Sequence, residues 1–277
     1  MSNLRLSVAK PAPGAGSPKG KEANATLVYV NDLVKEMFPN ANENGVKLVG
    51  NIVLKAGARM QRIYMTDSTQ KASHKYEGDP DAGGFMKQYE GSHPGDELEI
   101  NEFVQNSIEE PFIIIYDVDC NSNMRKVVGL PCNPLYLEPE FMDDDAGVKH
   151  TLIFKQRRRD RHVSKFYEGE LSFAENYVAP DAEALALAPA NGYVVELPVS
   201  NAATDIAVAT NTIVHKKVVT LVGNGGTTPS TLSGGVSGPV TVILDNGTEW
   251  EATKGAFINL EVFDGGAVTY LKEISRG

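Results

Sequence analysis

Cysteine is almost missing from the 277 residues: Cys120 and Cys132 are the only two. They are too few for a disulfide framework and lack the clustered spacing of a zinc site, so both are read as free thiols in a reducing compartment. Long apolar runs are missing too. Nowhere do the roughly 18 consecutive apolar residues of a membrane helix occur, and the start, MSNLRLSVAKPAPGAGSPKGK, has no apolar stretch suited to a signal peptide. Synthesis in a cytoplasm and no membrane partner are the expectation. Without a secretory leader, Asn24-Ala25-Thr26 and Asn246-Gly247-Thr248 match the glycosylation pattern by chance.

Catalytic motifs are equally scarce. The five histidines, His74, His93, His150, His162 and His215, are scattered and form no HExxH pair, so a zinc enzyme has no support and no metal ligands are assigned. Gly223-Asn224-Gly225-Gly226-Thr227-Thr228 lacks the lysine of a phosphate loop. Gly235-Val236-Ser237-Gly238-Pro239 is no nucleophile elbow. Carboxylates scattered through loops single out no acid–base pair. These absences predict a protein without catalytic activity and without a cofactor, whose functional residues are contact residues. A formal charge of -10 and a pI near 5.1 argue against wrapping nucleic acid, which needs a basic face. They do not oppose a channel through which nucleic acid slides.

What is present is mostly strand-like. Val148 to Phe173 reads as one long hairpin with arms Thr151–Lys155 and Val163–Tyr167, β-branched and aromatic. Its tip holds five consecutive charges, Arg157, Arg158, Arg159, Asp160 and Arg161. Burying unpaired charge is costly, so this tip is expected to project into water or onto a partner. Thr26 to Met37 starts strand-like and then suggests a short helical turn before Pro39. Val46–Leu54 and Arg59–Met65 suggest a second hairpin across Lys55-Ala56-Gly57-Ala58. Asp67 to Gly95 reads as a long polar loop, broken by glycine and proline. Asp96 and Glu99 suggest a capping box for an amphipathic helix over 97–107, with Leu98, Phe103, Val104 and Ile108 on one face. Pro111 to Asp119 is a buried central strand in this reading, and Met124–Leu130 its neighbour. Asp143, Asp144 and Asp145 form an acidic turn without the ligand order of a calcium loop.

Residues 1–25 are rich in proline and glycine and read as an arm that orders only against a partner. Residues 26–178 form the main β domain, 179–210 an Ala/Pro-rich linker and 211–277 a small C-terminal β domain. In the last, Asp245-Asn246-Gly247 and Asp264-Gly265-Gly266 are hairpin signals, and Trp250 is assigned to the core.

The order of features from Val46 to Tyr177 resembles the tail tube proteins of long-tailed bacteriophages, those of Bacteroidetes phages in particular. The resemblance lies in an early hairpin, a long loop, one helix, a buried strand, then VVGLPCNPLYL and a segment ending in YEGEL. The C-terminal block, with Gly247-Thr248-Glu249-Trp250 and the ending Glu273-Ile274-Ser275-Arg276, is similar to small β modules appended to phage structural proteins. The resemblance implies a mainly β fold: a β-sandwich, barrel-forming and tail-tube-like, with one flanking α-helix and a small C-terminal β domain displayed outside the tube. It further implies hexameric rings that stack into a tube in the virion tail, with self and other tail proteins as partners and genomic DNA passing without specific binding. Arg157, Arg158, Arg159 and Arg161 are the expected inter-subunit contacts. Their partners would be either Asp143, Asp144 and Asp145 or Glu77, Asp79 and Asp81. A capsid decoration or head-completion protein is the rival within a virion. A carbohydrate-binding or hydrolytic β-sandwich is the rival of another class.

Overall fold

The computed structural model describes residues 7–17, 20–117 and 125–277. Cys120, the end of the expected strand at Asp119, its neighbour's start at Met124 and part of the expected N-terminal arm lie outside the described residues. The fold is mainly β, 44% strand and 9% helical, with one helix and several sheets, in the sandwich or barrel class. Two compact units interleave along the chain. The first takes Met1–Leu27, Ala41–Lys47 and Arg62–Tyr167; the second takes Val28–Asn40, Leu48–Gln61 and Glu168–Gly277.

The larger sheet comprises β1 (Asn24–Tyr29), β2 (Lys47–Val49), β3 (Gln61–Tyr64), β4 (Lys71–Glu77), β5 (Gly84–Pro94), β6 (Phe112–Asp117), β7 (Arg125–Val128), β8 (Leu135–Asp144), β9 (Gly147–Gln156) and β10 (Lys165–Glu168). Its order is β2-β10-β7-β6-β8-β9-β5-β4, with β1 beside β6 and β3 beside β1. The apolar run FIIIYD makes β6 the buried centre, as its continuous pattern predicts. β7 occupies one edge of β6 from Ile114↔Val128 to Asp117↔Arg125. The other edge is shared between β1 and β8, and β8 touches it only at Phe112↔Leu135. Beyond that single pair, β8, β9, β5 and β4 continue as a four-stranded antiparallel sheet. Tyr89 of β5 packs on Tyr116 of β6 with ring centres 5.1 Å apart, and Phe112 meets Phe154 of β9 edge-on at 5.5 Å. These aromatic pairs close the core between the two parts of the sheet.

Several expectations are corrected here. The arms of the organising segment are strands, β9 and β10, but not partners: β9 lies between β8 and β5, and β10 lies on β7. Its alternation buries His150, Leu152, Phe154 and Gln156, a stripe that the long strands β8 and β5 flank along its length and the four-residue β10 would not. The real hairpin is β8–β9, turning at Asp145-Ala146. Asp67 to Gly95 is no loop either; it contains the β4–β5 hairpin, paired from Lys71↔Glu90 to Glu77↔Gly84. Its polarity arises because β4 is exposed along nearly its whole length. β2 and β3 do not pair with each other, since β10 and β1 take them. The helix, α1 (Leu98–Asn106), lies where expected, but Asp96 does not cap it and Ile100 is its one buried residue. Leu98 and Ile108 are 69% and 45% exposed.

In the second unit the strands are β11 (Tyr177–Val178), β12 (Leu185–Leu187), β13 (Val194–Glu196), β14 (Val208–Asn211), β15 (Val218–Val222), β16 (Thr231–Leu232), β17 (Gly235–Ser237), β18 (Val240–Ile243), β19 (Trp250–Glu251), β20 (Phe257–Asp264) and β21 (Thr269–Arg276). Seven of them form one sheet in the order β11-β13-β15-β20-β21-β18-β17. The stretch 179–210 is therefore not a linker. β12, β13 and most of β14 arise within it, and Ala179, Leu185, Leu187, Val195, Leu197 and Val208 join the unit's core. Small apolar residues at alternate positions suit a buried short strand, and the prolines punctuate between strands instead of marking a domain boundary. The boundary at 211 is wrong for the same reason. Residues before it also belong to this unit: the buried Asn51 amide donates to the carbonyls of Tyr193 and Val218 at 3.0 and 2.8 Å. Asp264-Gly265-Gly266 joins the paired strands β20 and β21, as expected. Asp245-Asn246-Gly247 instead links β18 to β19, which lie in different sheets. Trp250 is a core residue, 3% exposed.

Candidate assembly interface

The arginine segment is anchored by the one residue in it that the charge count misreads. Asp160 is not a solvated tip residue but a folded-in hub. Its backbone pairs with Phe85 through Phe85 N–H to Asp160 O at 2.7 Å and Asp160 N–H to Phe85 O at 3.1 Å. Its carboxylate accepts from Lys87 Nζ at 2.7 and 2.9 Å, Asn133 Nδ2 at 2.8 Å, Gln156 Nε2 at 3.2 Å and the His162 N–H at 2.8 Å. Burial pushes the Asp160 carboxyl up, but the hydrogen bonds from Lys87, Asn133 and His162 outweigh it and hold the group below its usual range. Lys87 is buried, which a lysine tolerates only with such a partner. Gln156 completes the network, accepting from the Lys87 N–H at 3.1 Å and donating to Asn133 O at 2.9 Å.

Around this anchor the arginines fare differently. Arg157 is satisfied inside the chain: it pairs with Glu109 at 2.7 Å and lies 3.8 Å over the Tyr136 ring. Glu109 adopts a left-handed backbone, φ 67°, uncommon without glycine, and the Arg157 hydrogen bond and charge hold its carboxyl below the usual range. Arg158, Arg159 and Arg161 are exposed and make no ion pair among the described residues. Arg159 rests on the β4–β5 turn, where a Cβ on Gly78 would stand 2.1 Å from its Nη1. Glu77, Asp79 and Asp81 flank that same turn, so this acidic set is a neighbour of Arg159 in its own chain. Glu77 also lies 3.5 Å from Lys75.

Asp143, Asp144 and Asp145 sit at the opposite end of the β8–β9 ladder. The ladder runs from Leu135↔Gln156, beside the arginines, to Asp144↔Gly147, so about 30 Å separates the two ends at ~3.4 Å per residue. Asp144 accepts from the Ala146 N–H at 2.8 Å, which shapes the turn and leaves the other carboxylate oxygens facing water. Nearby, His150 reaches Asp96 at 3.3 Å and lies against Phe141, the rings tilted with centres 4.8 Å apart. The structure thus brings the Glu77 set to the arginines and leaves the Asp143 set apart.

The four-stranded sheet β8-β9-β5-β4 is open at both sides. From Tyr136 onward β8 has no outer partner among the described residues, and β4 ends the sheet. The β8 edge carries Glu138 and Glu140 below its projecting tip, where Asp143 and Asp144 lie; the β4 edge carries Lys71 and Lys75 against Glu77. Lys71 also meets Glu90 at 3.0 Å. Pro139 lies in the β8 edge, where a missing N–H is tolerated and pairing with arbitrary strands is discouraged. Sequence reading missed both edges. The signal for the β4 edge was the polarity of KASHKYE on both alternating sets, the mark of a strand with little covered surface; in LYLEPEFMDD it was only the acidic set of Glu138 and Glu140 around Pro139.

Among the described residues no group of three or more His, Cys, Asp or Glu side chains is placed to hold a metal, and no helix is long and apolar enough to cross a membrane. No protein-family model, curated protein or solved structure matches the chain.

Proposed function

We propose that the chain is a virion structural protein whose copies join side by side into rings, the rings stacking into a bacteriophage tail tube that DNA traverses without specific binding. The observation that carries this reading is the open four-stranded sheet with an acidic edge on β8 and a lysine-bearing edge on β4. Four antiparallel strands make the edge strands run in opposite directions. Copies related by an axis inclined to the strands, which shifts β4 from the level of Glu138 along the open part of β8, would therefore place β4 of one beside β8 of the next as an ordinary antiparallel pair. Each contact is heterologous, and a rotation that closes yields a ring with no free edge.

The face of this sheet turned away from the core suits a water-filled lumen. Alternation inward of Leu137, Leu152, Phe154 and Tyr89 leaves Glu138, Glu140, Thr151, Lys155, Gln88 and Glu90 on the other side. Acids and lysines mixed on that face would not hold phosphates strongly. The role requires no catalytic step and no cofactor.

Negative-stain images of concentrated protein, with light scattering for mass, test the reading. Rings or tubes are expected. Lys71→Glu with Lys75→Glu should leave folded monomer, and mixing with a Glu138→Lys, Glu140→Lys variant should not restore closed rings of either alone but should restore mixed ones. A protein that stays monomeric at every concentration contradicts the proposal.

A further inference from the structure

We infer that the tip of the β8–β9 hairpin is a docking element that seats on the arginine end of a second copy of this chain, stacked along the strand direction. The inference rests on the self-assembly reading and specifies its second contact.

All residues from Glu140 to Lys149 are exposed, so the hairpin extends beyond the core that its lower half helps build. β5 accompanies β9 as far as Pro94↔Lys149 and the Gly95 N–H still donates to Val148 O at 3.0 Å, so past that point only the end of the hairpin, from Asp143 to Gly147, stands alone. A lone two-stranded ribbon is marginal in water. Beside its three aspartates Val148 is 37% exposed, and Phe141 and Met142 at the base of the tip, opposite His150 and Lys149, are 52% and 47% exposed. Phe141 and Val148 share one face of the hairpin with Asp143, an apolar pair beside charge that a docked partner would cover.

The other end of the same ladder offers the complement. Arg158, Arg159 and Arg161 are exposed there, on a segment held rigid through Asp160, and Ile108 adds an apolar group beside the Glu109–Arg157 pair. Of the two acidic sets, Glu77, Asp79 and Asp81 already neighbour Arg159 within the chain, whereas Asp143, Asp144 and Asp145 lie about 30 Å away, with Lys149 opposite Met142 as the nearby base of their ladder, and make no ion pair among the described residues. Opposite charges at opposite ends of one ladder make each copy both plug and socket. A head-to-tail contact of this kind does not close on itself and propagates as a stack. Arginine forks suit paired carboxylates. The contact direction is perpendicular to the β4–β8 edge contact, so the two are separable.

Charge reversal separates them. Asp143→Lys, Asp144→Lys and Asp145→Lys together should leave a folded protein that forms rings but no stacks, with the mean number of rings per particle in negative stain reduced roughly tenfold or more. Arg158→Glu, Arg159→Glu and Arg161→Glu together should do the same. Mixing the two variant proteins should restore stacks, because each then presents the complement of the other. Stacks of normal length from the aspartate variant, or no recovery on mixing while rings persist, would overturn the inference. Wild-type protein that forms no rings overturns the ring reading instead, and the docking inference with it. Tubes stacking regardless of the reversal leave the ring reading standing.

Discussion

Lys87 Nζ lies 2.7 Å from Asp160, and this buried pair, not the arginines around it, fixes where the arginine segment sits. The lysine side chain is 1% exposed and the aspartate 15%, so neither charge is compensated by water to any large degree. Removing one partner strands the other. Asp160→Ala should cost about 3–5 kcal/mol in urea unfolding, and Lys87→Met with Asp160→Leu together should cost less than Asp160→Ala alone. A loss below about 1 kcal/mol for Asp160→Ala would show that the pair is effectively solvated.

The same hub sets an acid response. Asp160 has a carboxyl held low in the fold, so its contribution to stability is complete above the unfolded value, about 3.9, and disappears as pH falls through the lower folded value. His162 acts in the same sense, its ring pushed down by burial and by the Lys165 charge, so that acid also works against its native neutral form. Amide exchange of residues 157–162 should accelerate selectively as pH is lowered toward 2, after correction for intrinsic rates. Asp160→Asn should flatten that dependence below pH ~4. An unchanged profile in the variant would contradict this account.

Arg157 should behave unlike its neighbours. Its guanidinium is taken by Glu109 and the Tyr136 ring, both at the surface. Arg157→Ala is therefore expected to leave stability nearly unchanged and assembly intact, whereas reversal at 158, 159 and 161 blocks stacking. Particle lengths in negative stain distinguish the two; loss of stacking from Arg157→Ala alone would place that residue in the contact.

The C-terminal block is not separable at 211. Deleting Asn211 to Gly277 removes β15 to β21 and leaves β11 and β13 without the sheet that covers them. The truncated chain should aggregate or expose protease sites throughout 168–210. Limited proteolysis of the intact protein should accumulate no stable fragment beginning near 211, and such a fragment would revive the linker reading.

Local pattern alone determined the β class, the buried run FIIIYD, the position of α1, the core place of Trp250 and the β20–β21 turn. Each depends on neighbours in sequence: continuous apolarity, helical spacing, or glycine in a two-strand turn. Only the tertiary structure decided which strand lies beside which. β9 and β10 are eight residues apart, yet pair with β8, β5 and β7, because registry follows from which long strands cover a buried stripe and not from proximity. The linker failed for the same reason, as alanines and prolines read alike in a spacer and in short covered strands. Asp160 shows the limit most sharply. Within RRRDR it is one charge among five, and its role arises from Lys87, seventy-three positions earlier, whose burial no local pattern announces, because an ion pair in a core is made by the fold that brings both charges out of water together.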